Sequence, residues 1–70
     1  MTTPDERTRA LVRARGLLLA LSQPSETPRV PQRVRANART ILRHFPTRSD
    51  IEIAHKAAPD WYGPLPREDL

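Results

Sequence analysis

The sequence predicts an all-α fold: a small three-helix domain built from a helical hairpin, a short third helix and an extended C-terminal tail. Three observations carry that expectation. Apolar residues recur at helical spacing in three separate stretches. Each stretch opens on a proline or a Ser/Thr cap and ends just short of another proline. A stiff, proline-rich linker of eight residues joins the first two, long enough to turn the chain back on itself.

The first helix is expected over Pro4 to Ser22. Thr3 can cap it, Pro4 sits where its missing N–H costs nothing, and Glu6 closes a capping box three residues on from Thr3. Asp5 and Glu6 also suit the positive end of the helix dipole. Ala10, Leu11, Ala14, Leu17, Leu18 and Leu21 then fall in a sector about 120° wide and form the expected core stripe. Val12 and Leu19 lie off that stripe on a narrower strip of their own, a candidate apolar contact for a partner or a second copy, with cover by the chain's own tail, under Leu65 or Trp61, as the alternative. Gly16 costs about 0.5–1 kcal/mol against alanine inside a helix, so either another backbone approaches closely there or the segment is locally weak. Pro24 biases Gln23 away from helical geometry and ends the element.

Pro24 to Pro31 forms the linker, with Thr27-Pro28 as a competing helix start. The second helix is expected over Pro31 to His44, with Pro31 at or near its first position. Val34, Ala38, Ile41, Leu42 and Phe45 share one sector and face the core. Arg35, Arg39 and Arg43 form a stripe beside it, open to water or an anionic partner. Pro46 ends this helix, and a third is expected over Ser49 to Ala58. Thr47 with Asp50, or Ser49 with Glu52, satisfies the capping pattern. Ile51, Ala54 and Ala58 would form its narrow core stripe. Trp61 is expected to fold back as the plug of a small core, with an exposed partner anchor as the competing role. The three helices make one domain over residues 1–63, and residues 64–70 are expected to be extended and mobile.

A chain of 70 residues allows one domain, and at this size only about 60% of the unfolded surface is buried. There are no cysteines, so disulfides and thiolate metal sites are excluded and a cytoplasmic location is the expectation. The opening residues are acidic where a secretory signal is basic. The longest apolar run, Leu17 to Leu21, is far short of the roughly 20 residues of a membrane span, so no membrane association is expected.

The net charge of +4 conceals a segregation. From Arg7 to Arg48 there are ten arginines against one acid, Glu26, and the other seven acids lie in the first six residues or from Asp50 onward. A basic middle is the footprint expected of a polyanion-binding surface. The bland reading is that this is the composition a GC-rich genome encodes, with the arginines as a solvated face, and it fits better the use of arginine at every basic position but Lys56.

Catalytic chemistry is not in evidence. No phosphate loop, nucleophile with a matched histidine and carboxylate, or paired carboxylates occur, and no small-molecule substrate or cofactor is expected. His44, in the last turn of the second helix, and His55, on the third, have no metal-ligand spacing around them and are assigned structural roles. A helix-turn-helix reading of the second and third helices fails because Asp50 and Glu52 would face phosphates at the start of the recognition helix.

The runs Pro4-Asp5-Glu6-Arg7-Thr8-Arg9-Ala10, Leu42-Arg43-His44-Phe45-Pro46 and Pro59-Asp60-Trp61-Tyr62-Gly63-Pro64 resemble, in this order, a family of short uncharacterised proteobacterial proteins. The chain departs from the family at Gly16-Leu17, where the family has a polar residue followed by phenylalanine. The resemblance implies a self-contained module and no particular activity. The functional expectation is therefore a non-catalytic, cytoplasmic accessory or regulatory protein. It would bind a protein partner, or a second copy of itself, through Arg35, Arg39 and Arg43, extended by Arg9 and Arg13, with Val12, Leu19 and Trp61 as apolar contacts. Weak, largely sequence-independent DNA binding through the same arginines is the alternative.

Overall fold

A computed structural model describes residues 2–66 of the chain. The fold is all-α, with three helices: α1 (Pro4–Ser22), α2 (Gln32–His44) and α3 (Arg48–Ala57). Their ends follow from local chemistry. At the start of α1 the Thr3 N–H donates to Glu6 Oε1 at 2.8 Å and the Glu6 N–H to Thr3 Oγ1 at 3.2 Å, a closed capping box. Pro31 stands one position ahead of α2 as its N-cap, its carbonyl accepting from the Val34 and Arg35 N–H groups at 3.0 and 3.3 Å. Of the two caps available to α3, Thr47 with Asp50 is the one that closes, at 3.0 and 3.1 Å. That choice starts the helix at Arg48, one residue ahead of Ser49.

The chain clusters into two compact units that divide α1 between them. Among the described residues, one unit takes residues 2–13 with 46–66, and the other takes residues 14–45. In the first, Thr8, Val12 and Ile51 are buried. Gly63 lies backbone to backbone against the first turn of α1: its N–H donates to the Pro4 carbonyl at 3.0 Å and its carbonyl accepts from Thr8 Oγ1 at 2.9 Å. That second bond is why a threonine can be fully buried. A Cβ at Gly63 would strike the Asp5 carboxylate and stand 2.8 Å from Asp5 Cα, so the approach admits only glycine. α3 ends at Ala57, one residue short of the expected Ala58, which caps it; the expected stripe holds, with Ile51 buried and Ala54 and the cap residue Ala58 half-buried. His55 Nδ1 donates to the Tyr62 carbonyl at 2.8 Å, and because a carbonyl only accepts, that nitrogen carries the proton.

In the second unit Ala38 and Arg35 are buried, and Ala14, Leu18, Leu21, Val34, Leu42 and Phe45 are half-buried. The linker begins with a tight turn in which the Glu26 and Thr27 N–H groups donate to the Gln23 carbonyl. Arg29 then adopts a left-handed conformation, φ 68°, before Pro31 starts α2.

Several expectations about the core are overturned. Val12 is 8% exposed and belongs to the core, whereas Ala10 and Leu17 of the expected stripe are exposed. The reason lies in α1 itself, where apolar residues run almost all the way round. A single stripe averaged over nineteen residues misses that the N-terminal part buries Thr8 and Val12 while the C-terminal part half-buries Ala14, Leu18 and Leu21. Ile41, on the edge of its sector, is also exposed. Gly16 is exposed too, which removes close packing as the reason for a glycine there. Of the segment expected to be mobile, Leu65 and Pro66 are half-buried, and residues 67–70 lie outside the described residues.

Candidate binding surface

The last four carbonyls of an α-helix have no intrahelical donor, and the last turn of α1 carries no basic residue of its own. Donors come from elsewhere in the same unit. Ser22 Oγ donates to the Leu19 carbonyl at 2.7 Å and Thr27 Oγ1 to the Ala20 carbonyl at 2.8 Å. Arg35 Nη1 donates to the Leu21 carbonyl at 2.9 Å and Arg39 Nη2 to the Ser22 carbonyl at 3.2 Å. Arg35 also donates from Nη1 to Thr27 Oγ1 at 3.0 Å and from Nη2 to the Thr27 carbonyl. Two cations from α2 thus sit at the negative end of the α1 dipole.

Arg35 is therefore not part of an open flank. It is only 4% exposed, and every partner it has is an oxygen of a neutral group. Carbonyl and hydroxyl dipoles replace the water around the guanidinium, whose planar fork of donors is matched to them. Its position beside the core sector, which suggested a solvated stripe, is what lets it turn inward. Arg39, one turn later, is exposed and makes one bond. Arg43 is exposed and has no partner among the described residues. Arg33 is in the same condition and belongs with them, although the sequence reading passed over it. The signal was available: Arg33 lies about 160° round the helix from Arg35 and so faces away from the core.

On α1, Arg9 and Arg13 are exposed and one turn apart. The Glu6 carboxyl lies below its ordinary value, first because it accepts from the Thr3 backbone N–H, then from the Thr3 hydroxyl, with a further contribution from the Arg9 charge. Of the apolar candidates, Val12 is core, Leu19 is 45% exposed and Trp61 is 64% exposed. Trp61 is not the plug of the core. Its place on α1 is taken by the Gly63 backbone, while Arg7 holds the indole at the surface: Nη1 donates to the Trp61 carbonyl and Cζ lies over the ring, 5.4 Å from its centroid.

His44 is exposed, and the α2 end is closed instead by the Phe45 N–H on the Leu42 carbonyl at 3.3 Å. Among the described residues no three His, Cys, Asp or Glu side chains could share a metal ion, and no helix is long and apolar enough to cross a membrane. No family model matches the chain, and neither a curated protein nor a solved structure is detectably similar to it, so the surface is read from its own chemistry.

Proposed function

We propose that the protein is a non-catalytic, cytoplasmic binding module that docks an acidic macromolecular partner on the outer face of α2, through Arg33, Arg39 and Arg43. The observation that carries this reading is that Arg33 and Arg43 are exposed with no partner among the described residues, in a unit of residues 14–45 that holds six arginines and a single acid, Glu26. Arg35 is withdrawn from the surface, so the site differs from the one expected on spacing alone. Rim charges of this kind mainly set the rate and selectivity of association.

The test is a titration of a fluorescent oligoglutamate peptide and of a short DNA duplex against the wild-type chain and an Arg33→Glu/Arg43→Glu variant, at low and moderate salt. The reading expects the acidic peptide to bind and the variant to lose it. Duplex DNA binding more tightly, with affinity falling by about one power of salt concentration per phosphate contacted, would transfer the same face to nucleic acid. Failure of both probes at low salt overturns the proposal.

A further inference from the structure

Three rows of exposed side chains run along α2, each built from residues four or eight apart and so nearly parallel to the helix axis. Arg39 and Arg43 form one, Ala36 and Thr40 the next, and Arg33 and Ile41 the third, all of them exposed. At about 100° per residue the row of Ala36 and Thr40 lies opposite the buried Ala38, with the arginine row about 60° to one side and the third row about 100° to the other. The middle row is the lowest of the three. Ala36 ends at its Cβ, and Thr40 spends its hydroxyl within the helix, Oγ1 donating to the Ala36 carbonyl at 3.0 Å. Ile41 is 49% exposed, and the helix from Gln32 to His44 holds four arginines and no acid.

Taking this face as the site proposed above, we infer that its occupant is an amphipathic α-helix of a partner protein, with carboxylates along one side and an apolar residue on the other. Charge selects the acids: Arg43 is exposed with no partner among the described residues, and Arg39 makes one bond. The low middle row selects the helix. Short side chains there let a second helix axis approach to about 8–10 Å, where its own ridge of residues four apart drops between the flanking rows. One flank of the partner then meets Arg39 and Arg43, and the other covers Ile41, with Arg33 about two turns away to take a carboxylate at the end. A protein interface is apolar at its centre and charged at its rim, which is the order found across this face. DNA asks for the reverse, since a helix in the major groove reads base edges with long polar side chains. Here the centre is an alanine and a threonine already bonded to its own helix.

The probe is a fluorescent peptide of four Ala-Glu-Leu-Ala repeats, acetylated and amidated, whose glutamates and leucines fall in separate rows when helical. Its controls are a shuffled isomer of the same composition, in which neither residue keeps to one side, and an oligoglutamate of equal charge. Binding is measured by fluorescence anisotropy on the full chain at low salt. The patterned peptide should bind about tenfold tighter than either control and show helical carbon shifts in nuclear magnetic resonance when bound. Ile41→Ser, checked for retained helicity, should weaken it about fivefold, because covering the exposed half of that side chain accounts for about half its full burial value. The same variant should leave oligoglutamate binding unchanged. Arg33→Glu/Arg43→Glu should lose all three peptides. Equal binding of the controls, or an Ile41→Ser chain that holds the patterned peptide as wild type does, overturns the inference and leaves an acidic partner recognised by charge alone. Failure of every acidic peptide, or tighter binding of duplex DNA, removes that reading as well.

Discussion

The guanidinium of Arg35, in the first turn of α2, donates at 2.9 Å to the carbonyl of Leu21, one residue before the end of α1. The bond joins the end of one helix to the start of the next by a charge placed on a dipole. It matters because the second unit has little else: Ala38 is its only fully buried apolar residue.

Arg35→Ala should therefore be the most damaging single change in α2. It removes donors from the Leu21 carbonyl and from both oxygens of Thr27, at about 1.5–3 kcal/mol for a hydrogen-bonded charge. Arg35→Lys should recover only part of that, because an ammonium cannot span the same fork. Thermal melts followed by circular dichroism measure both. A variant as stable as wild type would show that the clamp is dispensable.

Gly63→Ala should destabilise the first unit by about 1–3 kcal/mol, the usual cost of forcing an extra carbon into a packed contact. Thr8→Val, close in volume, should cost about 1–2 kcal/mol by leaving the Gly63 carbonyl without its buried donor. Hydrogen exchange at the Gly63 amide, which bonds the Pro4 carbonyl, should accelerate in both.

Gly16→Ala should stabilise the chain. The position is helical and exposed, so alanine gains about 0.5–1 kcal/mol from reduced backbone entropy without meeting a neighbour. For a domain of this size the melting temperature should rise by about 3–8 °C.

Acid should weaken the start of α1 through Glu6. The folded state lowers the pKa of this carboxyl by the bonds it accepts from Thr3, so the folded chain binds fewer protons than the unfolded chain in that range. The contribution is complete above the ordinary glutamate value of about 4.3 and fades as pH falls through the lower, folded value. Glu6→Gln keeps an acceptor for the Thr3 N–H and has no proton to take up. The difference in melting temperature between wild type and Glu6→Gln should therefore change on acidification from pH 7 to about 3.

What the sequence by itself determined about this protein is the set of elements that depend on near neighbours. Thr3 with Glu6 and Thr47 with Asp50 close their caps within three residues, and Pro24 and Pro46 end helices by steric exclusion on the residue before. The α1 boundaries, the all-α class and the α3 stripe of Ile51, Ala54 and Ala58 follow from those rules. The burial of individual side chains was decided by the tertiary structure, through contacts between residues far apart in the chain. Arg35 reaches back fourteen residues to Leu21, and Thr8 meets Gly63 across fifty-five. Helical spacing places Arg35, Arg39 and Arg43 on one flank but cannot say that an unsatisfied helix end lies within reach of the first of them. Nor can it say that a glycine backbone will occupy the place expected of Trp61, leaving the indole at the surface under Arg7. Spacing specifies direction about one axis, whereas burial depends on which distant group fills the space on that side.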